Sequence, residues 1–261
     1  IVKDEKGKKF WIKIILASSF LPLAFANLGM VTQHPLLNAG ERLSGTFSHA
    51  NILAFYVVFI IMFLFYVLRM RILRIPPFML PLLWLYIVDL FAVLVVTQTR
   101  GAWISCAAMF LIYGLLKERK MLLVFALVAG LLLSVPLVRT RLADLTEGMD
   151  TRGGEKLNSW VWRVRLWQNA WPSIQERLLI GHGLGNFRYL SRGFAGFASE
   201  REWGVPAHNV YVELLVETGI FGLLAYLSIY ATILGTFFRR IFRTKGASST
   251  EAAVLFSYVV G

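Results

Sequence analysis

The chain has 261 residues, of which 57% are hydrophobic and only 16% charged, and it carries a net charge of +12. Soluble domains average about 25% charged residues, so a water-soluble fold is excluded and lipid is the expected solvent. The positive charge falls in short clusters between apolar runs, which is how membrane topology is written, and no nucleic-acid partner is expected.

A single cysteine excludes a disulfide framework. The four histidines, His34, His49, His182 and His208, are scattered without metal-ligand spacing, so no metal site is expected. The sequence has no initiator Met and no signal peptide, and it stops inside a new apolar run. It reads as a piece of a longer protein, or one trimmed at both ends.

A spanning helix needs roughly 20 mostly apolar residues. The first apolar run covers 10–30 and contains Pro22, which membrane helices tolerate when neighbours satisfy the freed backbone. A polar connection over 31–49 leads to a second span at 50–68. Arg69, Arg71 and Arg74 precede a third span at 78–97, and the short turn 98–101 leads to a fourth at 102–116. Lys117–Lys120 separate it from a fifth at 121–138. The long polar stretch 139–207 follows, then a sixth span at 210–238, Arg239–Lys245, and the start of a seventh at 252–261. The expected fold is an all-α polytopic transmembrane bundle in three parts. Residues 1–138 form helices with short loops, 139–207 a partly helical external loop, and 208–261 the C-terminal helices.

The clusters Lys3–Lys9, Arg69–Arg74, Lys117–Lys120 and Arg239–Lys245 occupy alternate connections and therefore one side. Short loops rich in Lys and Arg stay cytoplasmic. The connections 31–49, 98–101 and 139–207 are then external. The last carries ten basic residues but is 69 residues long, beyond the roughly 60-residue limit within which the charge rule applies.

Five of the eight tryptophans lie in that long loop: Trp160, Trp162, Trp167, Trp171 and Trp203. Tryptophan favours the membrane–water boundary. At helical spacing over 160–178, Trp160, Trp167, Trp171, Ile174 and Leu178 share one stripe. Arg163 falls on that stripe and Arg165 points almost oppositely. Two readings stay open for Arg163: a side chain snorkelling to lipid headgroups, or a guanidinium aimed at a phosphate held at the membrane surface.

Arg100, in a very short external turn, departs from the charge rule. It is either a solvated boundary arginine or, with a second arginine, one half of a bidentate pyrophosphate clamp. His208 stands at the mouth of the sixth span. A lone histidine there is structural, or a base acting on a sugar hydroxyl, for which an ordinary imidazole pKa near 6.5 is suited. Asn209 is placed to cap that helix. Asn209, Glu213 and Glu217 recur four residues apart, as a polar stripe whose carboxylates either pair with external arginines or solvate the helix end. Asp89, mid-span, marks function by default, or else makes an inter-helix hydrogen bond or faces a water pocket. The turn Gly181-His182-Gly183-Leu184-Gly185 is weak evidence for phosphate binding, lacking the lysine and serine of a P-loop. His49 and Asn51 open the second span, with Arg42 just before them.

Four segments in order resemble the bacterial O-antigen ligase and polymerase superfamily of membrane glycosyltransferases. Arg42-Leu43-Ser44-Gly45-Thr46-Phe47, followed by Asn51, is similar to its R-x-x-G-T-F-x-x-x-N opening of a span. Thr97-Gln98-Thr99-Arg100-Gly101-Ala102-Trp103 is similar to its arginine turn. Arg163 to Ala170, with Leu178 to Phe187, resembles its R-x-x-L-W-x-x-A … P-L-x-G-x-G-x-G-x-F signature, although Leu178 replaces the proline. His208-Asn209-Val210-Tyr211, running on to Glu217 and Gly219, resembles its H-N-x-Y helix start.

The resemblance implies a GT-C-like helical fold in the bacterial inner membrane, with its active site facing the periplasm. It implies transfer of a glycan from an undecaprenyl-pyrophosphate donor to lipid A–core, or alternatively to a growing lipid-linked glycan, without metal or nucleotide. The family's functional arginines map onto Arg100 and Arg163, with Arg165 as the fallback, and its histidine maps onto His208. Arg42, Asn209, Glu213 and Glu217 are the further substrate-binding candidates. Membrane lipids are the remaining expected partner. A non-enzymatic lipid-glycan transporter, for which Asp89 is the main support, is the reading from another class.

Overall fold

A computed structural model of the chain describes residues 4–39, 42–143, 159–194 and 203–260. Almost all of the regular structure is helical. The helices are α1 (Glu5–Ser18), α2 (Phe20–Thr32), α3 (Ala50–Arg69), α4 (Leu80–Val96), α5 (Arg100–Leu116), α6 (Arg119–Leu133), α7 (Pro136–Ala143), α8 (Ser159–Glu176), α9 (Asn186–Ser191), α10 (Val210–Arg243) and α11 (Ala247–Val260). One antiparallel pair of two-residue strands, β1 (Asn38–Ala39) and β2 (Arg42–Leu43), folds the α2–α3 connection back on itself.

Among the described residues four helical stretches are long and apolar enough to cross a membrane: Glu5–Thr32, Ala50–Arg69, Pro77–Val96 and Val210–Arg243. The molecule is a multi-pass membrane protein. The fourth expected span is a 17-residue helix, α5, only about 25 Å long at 1.5 Å per residue. The fifth divides. α6 ends at Leu133 and α7 begins on Pro136, and α7 carries the helix on to Ala143, past the expected limit of 138. A proline ring fits the first turn of a helix but breaks the ladder of one already running. Residues 144–158 and 195–202 of the long connection, including Arg152, Lys156 and Arg201, lie outside the described residues.

The chain divides into two compact units, one of residues 1–141 with 236–261 and one of residues 142–235. In the first, α3 is the central helix. Its buried side chains include Leu53, Ala54, Val57, Ile60, Ile61 and Leu64, and α1, α4, α5 and α11 pack around it. Lipid is as apolar as leucine, so close packing over small residues holds membrane helices together. α11 accordingly buries Ser249, Ala252, Ala253 and Ser257 at helical spacing.

This unit has a polar cluster at each end of α3, about 30 Å apart along its 20 residues. At the C-terminal end the Arg69 guanidinium bonds the Tyr113 hydroxyl and the Glu118 carboxylate. Lys117 donates to Ser249, and Glu251 accepts from Tyr66 and pairs with Arg240 at 3.5 Å. Three of the basic clusters assigned to one side by their sequence positions thus meet at one end. The cluster at the other end contains Arg42 and leads into Arg100.

The second unit packs Leu166, Ala170 and Ile174 of α8 against Phe187, Phe194, Val205, Ala207 and Val216. The α8 helix falls within two residues of the expected 160–178, and the residues of its aromatic stripe differ in burial. Trp160, Trp171 and Leu178 are exposed and Trp167 is half-buried, whereas Ile174 joins the core. The smaller residues Leu166 and Ala170 let α8 approach its neighbours more closely than tryptophans would.

Candidate functional site

In the first unit the site is built on the turn between α4 and α5. Thr97 and Thr99 are buried, and Gln98 between them adopts φ +54°, a left-handed conformation unusual for a non-glycine residue. Arg42 closes over this turn. Its Nε donates to the Thr97 carbonyl at 3.1 Å, and its Nη2 donates to Asn51 Oδ1 at 2.8 Å and Thr99 Oγ1 at 2.7 Å. A planar guanidinium suits such divergent acceptors because its donors form a rigid fork.

Asn51 lies in the first turn of α3, capped by His49, whose Nδ1 accepts from the Asn51 N–H at 3.1 Å. Thr99 is the residue on which α5 begins, and half-buried Arg100 is its first helical position. One turn on, Trp103 Nε1 donates to the Leu94 carbonyl at 2.9 Å, fastening α5 back onto α4. Arg42, read from sequence as substrate-binding, therefore has Nε and Nη2 engaged by the protein, beside the arginine that follows the turn.

In the second unit the site centres on His208. Its backbone has φ +52°, a strained left-handed conformation that persists only where surroundings hold it. Two tryptophans of α8 supply the hold. Trp167 Nε1 donates to the Ala207 carbonyl at 2.8 Å, and the Trp162 ring meets the imidazole edge-to-face with centroids 5.4 Å apart. The imidazole itself is exposed. Arg163 follows Trp162 and is half-buried, while Arg165 is exposed. Asn209 is the expected N-cap of α10: its Oδ1 accepts from the N–H groups of Tyr211 at 2.9 Å and Val212 at 3.3 Å.

The polar stripe down α10 has separate tasks. Glu213 is half-buried. Glu217 is buried, and its Oε1 accepts from the Phe187 N–H at 3.1 Å in the first turn of α9. A carboxylate there satisfies an orphan amide and complements the positive helix end.

The glycine-rich turn is explained by backbone geometry. Gly181, Gly183 and Gly185 all have positive φ. The segment from Leu178 to Gly183 runs beside a break in α10 at Gly219, φ +66°. The His182 and Gly183 N–H groups donate to the Val216 and Glu217 carbonyls, and the Ile220 and Phe221 N–H groups donate to the Leu178 and Leu179 carbonyls. A Cβ on Gly181 would collide with the Glu217 backbone, and one on Gly219 with the Leu179 backbone. His182 Nε2 lies 2.7 Å from the Ser173 carbonyl, joining the turn to α8.

Asp89, the mid-span carboxylate, lines a cavity of about 360 Å³ between α2 and α4 with Asn27 and Tyr86. The buried threonines that precede Arg100 and the two tryptophans beside His208 were not among the site residues expected from sequence. The T-x-T-R spacing carried a signal for the first pair, since polar residues next to an apolar span need partners.

A spanning bundle with arginine-bearing turns at helix starts defines a class of polytopic membrane protein. Within that class, the pattern of the O-antigen ligase family matches residues 85–227, more than half of the chain, and the chain belongs to that family. It is also similar to the teichuronic acid biosynthesis protein TuaE of Bacillus subtilis (strain 168), with 31% identity over 103 residues. That alignment covers 38% of this chain and 21% of the relative, so the match spans about a fifth of the relative's length.

Proposed function

We propose that this protein transfers a glycan from an undecaprenyl-pyrophosphate carrier to a sugar hydroxyl of lipid A–core, at the periplasmic side of the bacterial inner membrane. The supporting observation is the construction around His208: an exposed imidazole on a left-handed backbone, braced by Trp162 and Trp167. The left-handed backbone costs stability, and bracing of this kind holds it where a side chain must be aimed. The family match includes Arg100, Arg163 and His208.

In this reading the acceptor hydroxyl passes its proton to His208 as its oxygen bonds the anomeric carbon. The bond from that carbon to the phosphate oxygen breaks, and its electron pair leaves with undecaprenyl pyrophosphate. Arg100 and Arg163 neutralise the charge growing on the leaving group, a task that removes the need for a metal. Direct displacement inverts the anomeric centre. Arg165, Asn209 and Glu213 remain candidates for contact with the sugars. Arg42 and Glu217 act through the backbone they hold.

A second reading replaces the acceptor with another lipid-linked glycan, making the protein a polymerase. It is favoured by the relative, which is named for teichuronic acid biosynthesis and not for lipopolysaccharide. The experiment is an assay of purified protein with undecaprenyl-pyrophosphate glycan, with and without lipid A–core. Product only with lipid A–core supports ligation, and lengthened lipid-linked glycan without it supports polymerisation. No product under either condition overturns the glycosyltransferase reading and leaves the transporter.

A further inference from the structure

The turn between α8 and α9 exposes a run of large apolar side chains: Leu178, Leu179, Ile180 at 74% and Leu184 at 79%. Four such residues within seven positions are out of place in water and mark a contact surface. Their backbone is unusual for a loop, because α10 satisfies it. The Leu178 and Leu179 carbonyls accept from Ile220 and Phe221, while the His182 and Gly183 N–H groups donate to Val216 and Glu217. Non-helical backbone survives at membrane depth only when protein groups take up its hydrogen bonds in this way.

The same hydrogen bonds set the height of the turn. From Ile220 to Phe238 the sequence has no charge over 19 residues, and Arg239 and Arg240 follow. At 1.5 Å per residue this run is about 29 Å, the thickness of a bilayer's hydrocarbon core. Ile220 therefore marks the hydrocarbon boundary farthest from Arg239, and Leu178 and Leu179 are bonded at that level. Phe221 and Leu224 continue the exposed apolar surface down α10. Arg177 and Arg188, both exposed, flank the turn, as basic residues do where they meet lipid phosphates.

We propose that residues 178–184 dip into the lipid leaflet, their apolar side chains among the acyl chains and Arg177 and Arg188 among the phosphates. The occupant of this surface is the phospholipid bilayer itself. This proposal stands apart from the glycan chemistry.

The test uses the protein reconstituted in vesicles of phosphatidylethanolamine and phosphatidylglycerol. Cys106, the sole cysteine, is changed to alanine, and nitroxide labels are placed in turn at Ile180→Cys, Leu184→Cys, Leu224→Cys and Gly193→Cys. Collisions with oxygen, which concentrates in lipid, and with a water-soluble nickel chelate are compared. The oxygen-to-nickel ratio at 180 and 184 should match that at 224 and exceed that at 193 several-fold. Nickel-dominated collisions at 180 or 184 overturn the proposal, as does poor access of both reagents, which means protein cover by a partner or a second copy. Hydroxyl-radical footprinting of the unsubstituted protein gives an independent reading: the 178–184 peptide should be protected in vesicles, and oxidation there equal to that at Trp203 overturns the proposal.

Discussion

Arg42 Nη2 donates a 2.7 Å hydrogen bond to Thr99 Oγ1, and Thr99 is the residue from which α5 springs, one position before Arg100. The two partners are 57 residues apart, so the direction of Arg100 depends on a side chain from another connection. Replacing Arg42 with Ala leaves Asn51 Oδ1 and the Thr97 carbonyl without this donor and loosens the turn. The expected loss of transfer is about ten- to a hundredfold, or about 1.4–2.8 kcal/mol, with insertion unchanged. Arg42→Lys should fail nearly as badly, because an ammonium cannot reproduce the planar fork. Transfer rates in membranes, normalised to protein level, measure both.

Trp167→Phe keeps an aromatic ring but deletes the bond to the Ala207 carbonyl. Transfer should fall about tenfold, corresponding to one hydrogen bond of about 1.4 kcal/mol. Thermal stability in detergent should change little, since Leu166, Ala170 and Ile174 still seat α8. A variant with the wild-type turnover would mean that His208 does not depend on this brace.

Glu217→Gln retains an oxygen for the Phe187 N–H and should keep most of the activity. Glu217→Ala removes it and should cost about 1–3 kcal/mol of stability. Equal loss of transfer in both variants, with unchanged unfolding midpoints, would point instead to the carboxylate's charge acting on substrate.

Gly219→Ala and Gly181→Ala each force a left-handed residue and drive a Cβ into a facing backbone. Each should destabilise the protein by about 3 kcal/mol, seen as a lowered unfolding midpoint and reduced accumulation in membranes. Gly130 in α6 meets nothing within 4 Å, so Gly130→Ala is the control and should be neutral or slightly stabilising.

The apolar runs and charge clusters made four of the expected spans legible, because both are local features of composition, whereas the break of the fifth before Pro136 was not read. The Asn209 cap and the α8 limits were legible for the same reason. The face of α8 was not. The tryptophan stripe points to the membrane boundary, and the side chains that seat α8 in its unit, Leu166 and Ala170 against Phe187 and Val216, carry no such signal. The inward pull on Arg42 was hidden because its partners Thr97 and Thr99 lie on a different helical hairpin. The same distance in sequence hid the interlocking of Gly181 with Glu217, since positive φ can be read from glycine but a facing backbone cannot.

The α3 helix joins Asn51, in the Arg42 cluster, to Arg69, in the cluster of Glu118 and Tyr113, through one rigid rod. Neither end can be drawn into hydrocarbon without desolvating a guanidinium, so the rod acts as a gauge of bilayer thickness. In thinner lipid it must lean, and in thicker lipid stand upright or gather lipid around itself. The arginine turn is fastened to the rod's upper end through Arg42, so a tilt of α3 carries the start of α5 with it.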